Sequence, residues 1–346
     1  MKYSKVYIDS FGYELAPNVI TSEDIENRLK PLYKALHFQK GQLEALTGIS
    51  ERRFWDKGYK MRTGAVKAGV KAINSSAVNA DQIGMLVYCG VCRDHLEPAT
   101  ACAVSHDLGI GADAMVYDLS NACLGILNGI VQVANAIELG QISAGLVLSC
   151  ESARQIMEIT IERLLREKSM ESFKKTVATL TGGSGAVAVL LCDKSLSCKG
   201  HYLEGGIVKN AAAHHELCRW GPDTGIPASG LHSMETDSVG VLNNGVTLGV
   251  ETFRAFMKKM ALPENKPDKI ICHQVGSSHQ KTVLNAIGIP AEKDFTTFQY
   301  LGNIGTVSLP ITAAMASERE FLLSGDYVGF FGIGSGLNCI MLGIRW

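Results

Sequence analysis

Asp118-Leu119-Ser120-Asn121-Ala122-Cys123-Leu124-Gly125 is the stretch around which the chain reads. An apolar, strand-like run, Ala114 to Tyr117, stops at it. A long apolar run bearing Gly and Ala, Leu124 to Leu139, starts from it with helical character. Cys123 therefore falls at a turn from strand to helix N-terminus. There the helix dipole and unpaired N–H groups favour a thiolate. A thiolate so placed can take an acyl group while neighbouring N–H groups hold the oxyanion that forms. A buried structural cysteine is the plain alternative in so apolar a run.

Working outward, the pattern is that of an α/β protein. Ile83–Cys89, Ala144–Glu151 and Ala186–Leu191 are short apolar runs of the kind buried strands show. Lys269–Cys272, Asp326–Phe331 and Asn338–Ile344 repeat them in the second half. The repeat lies in pattern and not in identity. It predicts two similar α/β units, residues 1–194 and 195–346, with residues 151–181 as a charged, amphipathic excursion from the first. Apolar residues of that excursion, Ile156, Met157, Ile161 and Leu164 among them, suit either the roof of an apolar tunnel or packing on the body. Residues 195–245 read as a polar connecting region.

Sites in such sheets form beyond the carboxyl ends of strands. His273 follows one, and Asn303 and the Gly332–Gly336 turn lie in connections that can meet Cys123 there. A histidine can exchange a proton with the thiol or donate to an oxyanion, and Asn303 can add a second hydrogen bond. Glu97, just before Pro98, suits a helix first turn, where the dipole stabilises a carboxylate.

Composition narrows the function. The 346 residues are 46% hydrophobic and 19% charged, with 33 Lys plus Arg against 34 Asp plus Glu. That balance gives no reason to expect nucleic acid or an anionic membrane as the main partner. No run reaches the length of a membrane span. The N-terminus reads as a first strand without a signal-peptide core, and the ten cysteines sit mostly in apolar runs, so reduced thiols in a cytoplasm are expected. Cys89 and Cys92 form a C-x-x-C without a second pair, better read as two core or loop thiols. His214-His215-Glu216 stands without further ligands, and no metal site is expected. Gly182-Gly183-Ser184-Gly185 precedes its strand, the reverse of a phosphate loop. Arg52, Arg53 and Trp55 put two cations and a flat ring in one loop, a group that suits the phosphates and adenine of a nucleotide-like handle, which the resemblance given below would make coenzyme A; a solvated basic turn is the plainer alternative.

The chain resembles, over nearly its full length, the thiolase-superfamily condensing enzymes of the ketoacyl-synthase III branch. The matching words are Asn121-Ala122-Cys123-Leu124-Gly125, His273-Gln274, Gly302-Asn303-Ile304-Gly305 and Gly334-Ser335-Gly336-Leu337-Asn338. Within the branch it is most similar to the OleA family of olefin and long-chain hydrocarbon biosynthesis. Arg93-Asp94-His95-Leu96-Glu97-Pro98-Ala99-Thr100-Ala101 and Gly48-Ile49-Ser50-Glu51-Arg52-Arg53-Phe54-Trp55-Asp56 carry that likeness. The resemblance implies a five-layered αβαβα thiolase fold and a homodimer. It implies a head-to-head condensation of two fatty acyl-CoA molecules to a β-keto acid. Cys123 would be acylated, and His273 and Asn303 would form one oxyanion site. The backbone of Cys123, Gly334, Ser335 and Gly336 would form the other. Glu97 would act as base across the subunit interface. No cofactor is implied, CoA being part of the substrate and the leaving group, and a downstream enzyme acting on the β-keto acid is an expected partner.

The base has a chemical reason. Decarboxylation of a malonyl group makes its own carbanion, whereas a condensation without decarboxylation must remove a proton alpha to a thioester. A decarboxylating 3-oxoacyl-carrier-protein synthase is the alternative enzyme, and a non-catalytic acyl-binding scaffold is the alternative from another class. Three residues after His273, where many ketoacyl synthases III place an Asn against the pantetheine arm, this chain has Gly276.

Overall fold

The computed structural model describes residues 1–197, 200–222 and 232–346. Most of the 220–232 loop, left open by the sequence as to its role, lies outside the described residues. Thirteen strands follow in order: β1 (Val6–Leu15), β2 (Asn18–Thr21), β3 (Glu51–Phe54), β4 (Met85–Cys89), β5 (Met115–Leu119), β6 (Ala144–Glu151), β7 (Gly185–Asp193), β8 (His201–Asn210), β9 (Cys218–Pro222), β10 (His232–Thr236), β11 (Lys269–Cys272), β12 (Tyr327–Gly334) and β13 (Asn338–Arg345).

Nine of them join in the order β11-β12-β13-β8-β1-β7-β6-β4-β5. The internal repeat is visible in this order. β4 runs parallel to β6, which is antiparallel to β7, which is antiparallel to β1. β11 likewise runs parallel to β12, which is antiparallel to β13, which is antiparallel to β8. The two sets meet where Tyr7 and Ile8 of β1 pair with Tyr202 and His201 of β8. Even β5, at one edge, has a vestigial counterpart in the parallel bridge between Ile270 and Asp294.

Strand side chains alternate between two cores, which produces five layers. Val87, Val147, Val187 and Val189 of the first set face a central core, as do Val328, Phe330, Ile340 and Leu342 of the second. That core is filled by helices Gly125–Glu138 and Ser308–Glu318, which are buried along most of their length. The other faces of the sheets meet outer helices. Leu86, Tyr88, Ala188 and Leu190 pack on Met61–Asn74, and Phe331, Cys339 and Met341 pack on Ser238–Met260.

One expectation needs correction, and one alternative is decided. Residues 195–245 are not merely connecting, because they supply β8, a central strand. Its Gly205-Gly206 pair and its charged residues hide it from a search for apolar runs. Gly205 sits at φ +148° with Met1 O 2.5 Å from where a Cβ would be, so the strand needs glycine there. The 151–181 excursion folds as helices Arg154–Glu167 and Met170–Thr176. Met157, Ile161 and Leu164 pack against Ile25, Leu29, Leu32 and Leu43 of the N-terminal helices, so these three cover the body.

Candidate active site

Cys123 lies in a single 3-10 turn, Ala122–Leu124, between β5 and the buried helix Gly125–Glu138. Ala122 adopts φ +45°, a left-handed conformation that a non-glycine residue holds only when its surroundings enforce it. The enforcement is visible on both sides. Ile126 N–H donates to Thr306 Oγ1 at 2.7 Å. Asn121 Nδ2 donates to Asn128 Oδ1 at 2.7 Å, while Asn121 Oδ1 accepts from Asn338 Nδ2 at 3.3 Å. Gly334, at the end of β12, comes so close that a Cβ there would lie 3.5 Å from both the Cβ and the N of Cys123. Asn338 also donates to Ser335 O at 3.3 Å, and Gly336 sits at φ +129°, so the 334–336 turn is fixed against the Cys123 elbow.

The expected thiolate is corrected by the interior. Burial pushes the Cys123 thiol up to about 12, with Cys218 and Glu151 adding in the same direction and only the backbone N–H opposing. Cys123 therefore rests as a neutral thiol.

His273 follows β11, its N–H donating to Phe331 O of β12 at 3.0 Å, and it is buried. Burial, with His279 nearby, lowers its pKa to about 3, so its imidazole is neutral at physiological pH. Its Nδ1 is buried without a partner among the described residues. A neutral imidazole is a hydrogen-bond donor to an oxyanion, not a reservoir of positive charge. Gln274 braces the turn, accepting from the N–H groups of Thr297 and Phe298 at 2.9 and 3.3 Å.

Asn303 is clamped through its backbone. Its N–H donates to Thr181 O at 2.9 Å and its carbonyl accepts from Gly183 N–H at 2.9 Å. Its side-chain oxygen accepts from Gly305 N–H at 3.1 Å, which leaves the Nδ2 group to donate elsewhere. Gly183 makes this possible, since a Cβ there would lie 2.1 Å from Leu301 O. The Gly182–Gly185 run thus seats the Asn303 loop, a role its sequence did not reveal. Gly276 also has a structural cause: at φ +155°, a Cβ would stand 2.7 Å from Thr47 O.

Glu97 is exposed, as is Leu96 beside it. It does not serve the following helix, Thr100–Leu108, as expected; Asp118 accepts from Thr100 and Ala101 N–H at 3.0 and 2.9 Å in its place. The Glu97 side chain has no hydrogen-bond or ion-pair partner among the described residues.

The CoA contacts read from the 52–55 stretch are corrected for two of three residues. Arg52 is fully buried, with Nη1 donating to Ser22 Oγ at 3.0 Å and Nη2 to Leu180 O at 3.2 Å, and burial lowers its pKa to about 10. Trp55 is buried too, stacked on Tyr59 at 4.3 Å with its N–H on Glu151 O. On β3 alternate residues face inward, so a loop reading placed the interior Arg52 at the surface, while Trp55, just past the strand, joins the core of Met61, Ala65 and Tyr88. Arg53 keeps partial exposure. Cys89 and Cys92 are thiols of core and loop, the latter bonded to Ser152 N–H at 3.4 Å. No helix is long and apolar enough to cross a membrane, and no metal-binding cluster occurs among the described residues.

Sequence reading missed Glu151, seen only as the end of an apolar strand. A lone carboxylate closing a buried run, Ala144 to Cys150, was the available signal.

Comparison with known proteins bears on this geometry. Residues 257–346 match the family model "3-Oxoacyl-[acyl-carrier-protein (ACP)] synthase III C terminal". The acyl-CoA:acyl-CoA alkyltransferase of Shewanella oneidensis is 52% identical, with 100% of both chains covered. A beta-ketoacyl-[acyl-carrier-protein] synthase III of Natranaerobius thermophilus is more distant, 25% identical over 99% of this chain and 100% of its own. A variant of OleA from Xanthomonas campestris, crystallised with bound lauric acid and lauroyl-CoA, superposes with a TM-score of 0.93 at 33% identity, covering 99% of this chain and 100% of that one.

Proposed function

The chain belongs to the acyl-CoA:acyl-CoA alkyltransferase family, with the thiolase fold of OleA, and on that premise we propose how its own residues carry the reaction. It is a condensing acyltransferase that joins two acyl-CoA molecules head to head. In the first step Cys123 Sγ attacks the thioester carbonyl of one fatty acyl-CoA. The thiol proton passes to the departing CoA sulfur, and the backbone N–H groups of the elbow and the 334–336 turn hold the oxyanion. Glu97 of the partner subunit then takes an alpha proton from the second acyl-CoA. His273 and Asn303 donate to the enolate oxygen, where charge develops. The alpha carbon attacks the Cys123 thioester, a C–C bond forms, the C–S bond breaks, and Cys123 recovers a proton. Water then cleaves the β-ketoacyl thioester to β-keto acid and CoA.

The observation that carries this reading is the exposed carboxylate of Glu97, without a partner among the described residues, while Asp118 caps the helix in its place. A base that serves another subunit has to point away from its own. The active form is then a homodimer in the cytoplasm, needing no cofactor, and its β-keto acid passes to a further enzyme of olefin biosynthesis. The test supplies purified protein with one long-chain acyl-CoA and no malonyl donor, following free CoA and the β-keto acid or its ketone by mass spectrometry. Wild type forms product; Glu97→Gln releases one CoA per site and stops; Cys123→Ala does neither. Product formed only with a malonyl-carrier, with carbon dioxide and indifferent to Glu97→Gln, would move the enzyme to decarboxylating chemistry.

A further inference from the structure

Glu151 closes β6 at 4% exposure, and each of its oxygens accepts a backbone N–H. Oε1 accepts from Val91 at 3.1 Å and Oε2 from Cys92 at 3.3 Å. Gly90 makes room for it, and Gly305 lies beside it. A Cβ on Gly90 would lie 2.9 Å from Oε1, and one on Gly305 would lie 3.5 Å from Cγ. The carboxylate thus stands between the segment that leaves β4 and the turn whose Gly305 N–H orients the Asn303 side chain.

That segment, residues 90–99, is the one that carries Glu97. Asp94 fastens its middle by accepting from Met61 and Arg62 N–H at 2.8 and 3.1 Å, and Asp118 fastens its end through Thr100 and Ala101 N–H while also reaching Arg93 at 3.9 Å. Glu151 fastens its beginning. Burying a carboxylate is costly, and a neutral amide would offer only one acceptor oxygen for two N–H groups.

We propose that Glu151 is a positioning residue for condensation: as a carboxylate it holds the N–H groups of Val91 and Cys92 and so fixes the loop that presents Glu97 to the partner subunit's site. This rests on Glu97 being the base. The groups facing Glu151 are Tyr88 of β4, Cys92 and Arg93 of the loop, Cys150 of its own strand and Cys123 of the elbow. Burial pushes Tyr88, Cys92 and Cys150 well up and Cys123 to about 12, whereas it brings Glu151 to about 7. Of the acids in this cluster, Glu151 is the one that changes charge near neutrality.

The test separates acylation, read as the first CoA released per site, from condensation, read as β-keto acid formed. Wild type should lose condensation relative to acylation as pH falls through about 7. Glu151→Gln should acylate within about threefold of wild type and condense roughly tenfold or more slowly, with a ratio no longer dependent on pH in that range. A Gln variant with the wild-type ratio and pH profile overturns the proposal, and so does one whose acylation falls as far as its condensation. Should Gln not fold, Glu151→Asp, which keeps the charge and withdraws it by one methylene, is read in the same ratio with the same deciding outcomes. Glu97→Gln alongside separates the two claims. If it condenses normally, the base reading falls and takes this one with it; if it is dead while Glu151→Gln is normal, only the role of Glu151 falls.

Discussion

Gly183→Ala tests whether the Asn303 loop is held by close backbone approach. The added methyl would sit 2.1 Å from Leu301 O and 2.7 Å from Ile304 Cγ2. A carbon and a carbonyl oxygen approach to about 3.3 Å at the closest in ordinary packing, so the 301–304 backbone has to withdraw by roughly 1 Å. The Gly183 N–H to Asn303 O bond lengthens with it. Overpacking of this kind costs about 1–3 kcal/mol. Spread over the unfolding entropy of a chain this long, that lowers Tm by only about 1.5–4 °C, so the protein should remain folded at 25 °C. Activity is more sensitive, because displacing an oxyanion donor by about 1 Å costs on the order of 100-fold. The assay reads the two half-reactions with a single long-chain acyl-CoA. Release of the first CoA, which depends on Cys123 and the 334–336 turn, should stay within a few-fold of wild type. Formation of β-keto acid should fall by roughly two orders of magnitude. Condensation within about threefold of wild type, with an unshifted Tm, would refute the reasoning. It would mean that the loop yields without moving Asn303.

Two further expectations concern protonation. Because burial raises the Cys123 thiol to about 12, its alkylation by iodoacetamide should quicken about tenfold per pH unit from 7 to 9 without a plateau; a plateau below pH 8 would show that the helix terminus outweighs burial. His273 titrates at about 3 in the folded state against about 6.5 unfolded, so between those values the unfolded chain binds the extra proton and stability is lost as pH falls. Replacing it by Asn removes that loss. The stability of His273→Asn relative to wild type should therefore rise by about 2 kcal/mol between pH 7.5 and pH 5 in urea unfolding, and an unchanged difference would show that His273 is not held neutral.

What the sequence determined by itself was the part written in local pattern. Short apolar runs in a repeated order gave paired α/β halves. A cysteine between a strand run and a helix run gave the elbow, and His273 and Asn303 fell in connections where such sheets put their sites. The resemblance, not local pattern, pointed to Glu97, and a condensation without decarboxylation supplies the chemical reason for a base there. Tertiary structure alone decided what depends on neighbours distant in the chain. Arg52 stands in a polar, surface-like stretch, and only the pairing of β3 with β2 turns it inward onto Ser22 Oγ and Leu180 O, while Trp55, just past β3, is buried by Tyr59 and Glu151 O. β8 has a weak strand signal, yet it is central because β13 and β1 close on it from either side. The Cys123 thiol is pushed up to about 12 because the layers around it desolvate its charged form, against the pull of the helix terminus that local sequence predicts. Glu151 looks like the last residue of a strand until the fold sets Gly90 and Gly305 against it. Charge state, burial and the contacts of a carboxylate are properties of the assembled interior, and no window of sequence contains them.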